Sequence, residues 1–399
     1  MKKKLYWIIL VFMLYAFFEA SSLFALFLNE KIRHTVYAPL DVSLSDTHRS
    51  IIVNYLKNNT KYMVHSSTMG WTIKKNGAMH LYKANSQGIR ASKEYPLIPP
   101  ENIVRISSFG DSFTHCDDVE NEDSWQEKLM VTDENLEVIN FGVPGFGLDQ
   151  AFLRYQEDGV QFNSHIVLIG FMSENICRNI NVFRPFYYRY GGLPFAKPRF
   201  IVKDDKLVLL KNPMQSLSRY NNLLAHPEIL LPELGTNDYY FASRYKKGFF
   251  DFLPSVRIVK MISNKIIRKK MYENIFKNGY YNEKSEGFEI TTKLFDKFYS
   301  SAVRNKSLPI IVLFPNKDDI TQYFENKSKT YASLLTYFDT RGYEYIDILN
   351  AFDVKDRKFK IKDLFVGHYS PMANELVAKY IGNYLRKKGL TNVNIVNSK

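Results

Sequence analysis

The sequence predicts a doubly wound α/β fold, a parallel sheet with helices on both faces. Three observations carry this. Short apolar runs rich in β-branched residues alternate with stretches of helical period. Those runs are nearly continuous in apolar residues, as strands covered on both faces must be. The 399 residues, 45% of them hydrophobic, are enough for a large core.

The elements follow in chain order. Met1 to Lys4 carries three lysines, and Leu5 to Leu28 is then 24 mostly apolar residues broken by Glu19. At about 1.5 Å per residue such a helix spans a hydrocarbon layer of about 30 Å. Lysines ahead of the segment stay cytoplasmic, which sends the rest outward. A cleaved signal peptide is the rival, with Ala20, Ser21 and Ser22 as a poor cut site. Residues 1–33 are therefore read as N-tail and transmembrane anchor. Residues 34–102 are read as a linker with a short helix and an apron of hairpins, closed by Pro99 and Pro100.

The core is expected over 103–178 and 288–390. Its strands are Ile103 to Phe109, Leu136 to Phe141, Ile166 to Phe171, Leu308 to Phe314 and Tyr343 to Leu349. Helical patterns cover Asp123 to Met130, Asp149 to Glu157, Ile290 to Val303, Lys329 to Arg341 and Pro371 to Lys388. Right-handed crossovers then give a flavodoxin-like, five-stranded parallel sheet. Residues 179–287 are too long for a loop and are read as a large insert after the third strand, a cap or subdomain. It opens with a hairpin, KPRFIVKDDKLVLL, with Asp204 and Asp205 near the turn. Within it Arg244 to Lys270 carries nine Lys/Arg and one Asp among interleaved apolar residues. That suits a helix on an anionic membrane or acidic glycan, or a solvated surface helix. Residues 391–399 read as a frayed tail.

Four blocks carry chemistry. RISSFGDSFTH sets Ser112 on a turn between strand and helix, where a nucleophile gains exposure and backbone N–H support. NFGVPGFG follows the second strand, GFMSENI the third, and GHYSPMANELVA opens the last helix, with Pro371 in its first turn. Ester cleavage needs a nucleophile, a base and donors for the oxyanion. A glycine lets the backbone approach a substrate, and an asparagine amide can donate where a carboxylate cannot.

The order of these blocks resembles the SGNH (GDSL-type) hydrolase superfamily in its membrane-anchored bacterial branch. A "GW … N-S-x-G-x-R" stretch, here within 70–90, often precedes the GDS block in such relatives. The resemblance covers about 103–178 and 308–388. It implies Ser112 as nucleophile and His368 as base, with the Ser112 N–H, Gly145 and Asn175 as oxyanion donors. Gly142 and Gly147 are fallbacks for Gly145. The family's G-x-N-D is altered here: strict register would put Glu174 where the asparagine belongs, and chemistry selects Asn175. Its D-x-x-H is altered too, since Phe365 stands three before His368. Asp363 is then the nearest carboxylate to orient the imidazole, with a backbone carbonyl as the other option. Arg178 and Asn179 could bind an acidic or sugar substrate, or cap the next element. His115, three residues past Ser112, is read as structural.

The resemblance thus implies a serine esterase acting outside the cytoplasmic membrane on O-acyl, foremost O-acetyl, esters of a glycan or lipid. Acyl transfer onto a polysaccharide is the alternative. Others are a non-catalytic envelope glycan-binding protein and a phospholipase. No cofactor or metal is expected: the acidic run Asp117, Asp118, Glu120, Glu122, Asp123 lacks a calcium loop's spacing and is read as solvated. The net charge of +13 comes without a nucleic-acid motif, so no nucleic-acid partner is expected. Cys116 and Cys177 make no disulfide framework; a bridge between them requires an oxidising compartment.

Overall fold

A computed structural model of the chain describes residues 2–40, 44–189, 191–353 and 359–393. The N-terminal apolar segment is one helix, α1 (Lys2–Arg33), long and apolar enough to cross a membrane. The short helix expected in the linker is Asp46–Leu56. The expected tail lies, from residue 394 on, outside the described residues.

The core sheet has five parallel strands: β1 (Val104–Phe109), β2 (Leu136–Asn140), β3 (Ile166–Met172), β4 (Leu308–Phe314) and β5 (Tyr345–Asp347). Their order is β5-β4-β3-β1-β2, so the winding reverses between β1 and β3. Side chains divide with period two. Val167, Ile169 and Phe171 of β3 enter one core cluster, while Ile166, Leu168 and Met172 enter the other. Strand β4 splits the same way, Ile311 and Leu313 against Ile310, Val312 and Phe314. Each fully buried side chain of this kind contributes about 1.5–3 kcal/mol. A charged pair lies between β1 and β2: Arg105 stands opposite Glu137 in register and donates to it at 2.6 Å. Strand β5 is shorter than expected because it pairs only with β4 and the chain turns helical again at Leu349.

Helices follow the strands. Four-residue α2 (Ser112–His115) leaves β1, then come α3 (Trp125–Thr132), α4 (Leu148–Arg154) and α5 (Asn175–Arg178). The insert holds α6 (Pro254–Ile275); α7 (Glu286–Arg304), α8 (Ala332–Arg341) and α9 (Pro371–Lys387) complete the core. Trp125, Leu129, Val377 and Ile381 cover one face of the sheet, and Phe152, Phe295, Phe298 and Phe338 cover the other. A helix not expected from the sequence, Lys317–Asn326, starts where the Asn316 side chain accepts from the N–H groups of Asp318 and Asp319.

The insert's hairpin pairs Arg199–Lys203 with Lys206–Leu210, and Asp204 and Asp205 take φ of 49° and 59°. Two left-handed residues are what a two-residue hairpin turn requires. Phe183, Phe195 and Phe200 of the insert, with Trp71 and Ile89 of the apron, join the same core cluster as Phe152 and Phe171. Insert and apron therefore pack as extensions of one sheet face.

Candidate active site

Helix α2 leaves β1 and α5 leaves β3, so Ser112 and Asn175 stand at the carboxyl edge of the sheet, where its winding reverses. Open α/β sheets form their ligand crevices there. Asp111 caps α2, its Oδ1 accepting from the Phe113 N–H at 2.9 Å. Burial pushes the Asp111 carboxyl up, against the pull of Arg178. Ser112 is buried, 4% exposed. Phe113 beside it meets the His368 ring edge-on at 5.2 Å between centroids.

His368 is fixed by a carboxylate that the sequence alone places in solvent. Asp118 Oδ2 accepts from the His368 backbone N–H at 3.0 Å and lies 2.7 Å from Nδ1. The approach needs special backbone on both sides. Asp118 takes φ +69°, and Gly367 takes φ +129°, where an added Cβ would sit 2.3 Å from Asp118 Oδ2. Asp363, the expected partner, is not there. Its carboxylate accepts from the Lys360 N–H at 2.8 Å and its carbonyl from the Ser370 hydroxyl at 2.8 Å. It caps a short helical turn, Ile361–Leu364, while Asp118 holds the imidazole.

The apron supports both loops at this edge. Arg90 donates to the carbonyls of His115, Cys116 and Val119, clamping the segment that carries Asp118. Trp71 Nε1 donates to Pro144 O at 2.9 Å, beside Gly145. Gly145 takes φ +78°, which favours glycine. The fallbacks are committed elsewhere: Gly142 N donates to Asn140 Oδ1, and Gly147 N donates to Gln150 Oε1.

The Asn175 amide adjoins the Asp111 carboxylate, but neither Oδ1 nor Nδ2 completes a hydrogen bond although both are buried. Glu174 cannot take its place. Burial pushes the Glu174 carboxyl up, but Arg178, Arg184 and the Tyr187 hydroxyl outweigh it and hold it at about 2. Arg178 joins these groups, reaching Asp111 and Glu174 at 3.3 Å each and donating to Phe146 O at 3.0 Å. Asn179 is not a surface for substrate. It is fully buried; its Oδ1 accepts from Leu148 N and its Nδ2 donates to Thr291.

A cleft of about 230 Å³ lies against His368, bordered by Phe113, Glu174, Arg178, Asn316 and Gly367. His115 is elsewhere, sealed under the apron: Nδ1 lies 2.5 Å from Asp117 and Nε2 2.7 Å from the Tyr62 hydroxyl. Burial, with Arg90 beside it, pushes its pKa down to about 4. Cys116 and Cys177 are free and buried, and burial pushes both thiols up to about 12.

No protein-family profile matches the chain, and no curated protein matches it. Solved structures similar to it include a GDSL-like lipase from Bacteroides thetaiotaomicron, 12% identical, covering 73% of this chain and 91% of its own at a TM-score of 0.35. A member of the lipolytic protein G-D-S-L family from Veillonella parvula is 13% identical, covering 71% and 98% at a TM-score of 0.35.

Proposed function

We propose that this chain is a serine ester hydrolase of the SGNH type, held at the membrane by α1 and acting outside the cytoplasm on O-acyl esters of a glycan or lipid, O-acetyl foremost. The observation that carries the reading is the His368–Asp118 pair set against Phe113, one residue from Ser112. With the Nδ1 proton donated to Asp118, the imidazole presents Nε2 as a base.

In this reading His368 Nε2 takes the Ser112 hydroxyl proton as Oγ attacks the ester carbonyl. The tetrahedral oxyanion is met by the N–H groups of Ser112 and Gly145 and by Asn175 Nδ2. The Asn175 amide, buried at this edge with no full hydrogen bond to another group, supports that role. Collapse breaks the bond to the alkoxy oxygen, which leaves with the proton from His368. Water, deprotonated by the same imidazole, then releases the acid from the acyl-enzyme. A sugar hydroxyl in place of water gives acyl transfer by the same steps. The Asp118–His368 contact favours this reading over the non-catalytic alternative, which rested on the altered third block and the missing D-x-x-H. Arg178 serves as a tie between Asp111 and Glu174 that bounds the cleft.

The test is labelling of the detergent-solubilised chain by a fluorophosphonate, together with turnover of p-nitrophenyl acetate. Wild type should label, and Ser112→Ala should lose both labelling and turnover while keeping its unfolding midpoint. Full labelling of Ser112→Ala would remove the assignment.

A further inference from the structure

The cavity where α1 meets the insert is not part of the cleft at His368. Glu19 of α1 accepts from the Ser255 N–H at 3.0 Å and from its hydroxyl, pinning the start of α6 to the apolar helix. From that point the two helices run side by side in the same direction. Arg33, fourteen residues past Glu19, and Arg268, thirteen past Ser255, border one cavity of about 590 Å³.

Its walls differ along their length. Ala25, Leu26, Ile258 and Ile262 form an apolar part nearer the Glu19 end. Arg33, Arg189, Arg244, Lys265 and Arg268 bring five cations to it, and no Asp or Glu is among the described residues that line it. Arg244 donates to the carbonyls of Pro185 and Phe186, yet its Nε is buried without a partner, as is Asn264 Oδ1 in the same wall. Burial, then the charges of Arg268 and Arg189, push the Arg244 guanidinium down to about 10. Asp238, a buried acid whose charge reaches Arg244, accepts from Asn181 and from the N–H groups of Val182, Phe183 and Tyr240.

Depth along α1 says which anion fits. The apolar run ends at Leu28, so Arg33 lies about 7.5 Å beyond it at 1.5 Å per residue. That is the thickness of the headgroup layer outside a hydrocarbon core of about 30 Å. Just ahead of Ser255, which Glu19 holds, Phe249, Phe250 and Phe252 are 84%, 60% and 62% exposed. Val259 and Ile266 of α6 are also exposed. A free anion has no use for that apolar flank; a lipid does.

We infer that this cavity binds the headgroup of an anionic phospholipid, its phosphate among the five cations and its acyl chains along the apolar flank of α1 and α6. The inference rests on the reading of α1 as a membrane-spanning helix and is independent of the chemistry at Ser112.

The test uses the full chain, extracted from nanodiscs holding equal phosphatidylglycerol and phosphatidylcholine, with retained lipid counted by native mass spectrometry. Wild type should keep phosphatidylglycerol in at least about tenfold excess. Arg33→Ala/Lys265→Ala/Arg268→Ala should cut that retention about tenfold to a hundredfold, given about 1 kcal/mol per cation near a membrane surface. Lys269→Ala/Lys270→Ala/Lys277→Ala, the same charge removed outside the cavity, should not. Equal retention of the two lipids by wild type, or equal loss in both triple variants, overturns the proposal. So does displacement of the lipid by millimolar inorganic phosphate, which marks a free-anion site. If the cavity variant fails to fold, the wild-type selectivity and the phosphate competition still decide. Carbonate extraction reads the anchor separately, and Ser112→Ala should retain lipid as wild type does.

Discussion

His115 closes helix α2 and His368 packs against Phe113 of the same helix, and adjacent aspartates hold each histidine through Nδ1. On the apron side Asp117 holds His115; on the cleft side Asp118 holds His368. The pairs differ at the other nitrogen. His115 Nε2 is occupied by the Tyr62 hydroxyl inside a fully buried pocket. The His368 side chain is 29% exposed and borders the cleft. The same two-residue chemistry therefore gives a sealed strut on one side and a candidate base on the other. What faces the second nitrogen decides which.

Removing the candidate base is the hardest way to break this comparison. His368→Ala should lower kcat/KM about 10³- to 10⁴-fold, since a neutral serine hydroxyl attacks poorly without a base. Asp118→Asn should cost about 10²- to 10³-fold by favouring the wrong tautomer, less than for a buried acid because this carboxylate is partly hydrated. Asp118→Glu should recover part of the rate, and the pH profile of kcat/KM should shift in Asp118→Asn. An unshifted profile with full activity would make Asp118 a bystander.

The buried partner should separate stability from rate. His115→Gln should leave kcat/KM within about threefold but cost about 1–3 kcal/mol of stability through its broken hydrogen bonds. The sign of its pH dependence follows from its folded pKa of about 4 against an ordinary value of 6.5. Between those values the unfolded chain binds a proton that the folded chain does not. Stability is therefore fully present above about 6.5 and falls as pH drops towards about 4, by up to about 3 kcal/mol in all. Unfolding midpoints measured across that range should fall less steeply in His115→Gln than in wild type.

Much of this was legible in the sequence. Fully buried parallel strands read as near-continuous apolar runs, so the five strands of the sheet could be placed within a few residues. The Asp204–Asp205 hairpin was legible because a two-residue turn demands such residues. Ser112, Gly145, Asn175 and His368 stand in blocks that the chain order brings to one edge. Asp118 was not legible, because its contact with His368 spans 250 residues and rests on two unusual backbone conformations. One signal was available: with no acid at the usual place before His368, the acidic run after α2 was the carboxylate source on the same sheet edge. Asn179 stayed open between substrate and cap because spacing after Asn175 cannot tell a side chain facing the cleft from one that ties α4 to α7. The apron was undervalued for a similar reason. Trp71 and Arg90 lie far from the site in sequence but brace the loops of Gly145 and Asp118.

Asp363→Asn should have the smallest effect, and it sharpens the comparison most. Sequence proximity makes Asp363 the natural partner of His368, five residues away, whereas Asp118 is remote. In the structure Asp363 braces its own loop. Its carboxylate receives the Lys360 N–H, and its backbone carbonyl receives the Ser370 hydroxyl that caps α9. An amide oxygen can accept the Lys360 N–H nearly as well, and the carbonyl is untouched. The expected result is a change in kcat/KM below about twofold and a stability loss of about 0.5 kcal/mol, the low end for a cap. Asp363→Ala should lose somewhat more stability, about 1 kcal/mol, with the same small change in rate. A rate loss in Asp363→Asn matching that of Asp118→Asn would mean that the loop closes differently around substrate, with Asp363 and not Asp118 on the imidazole.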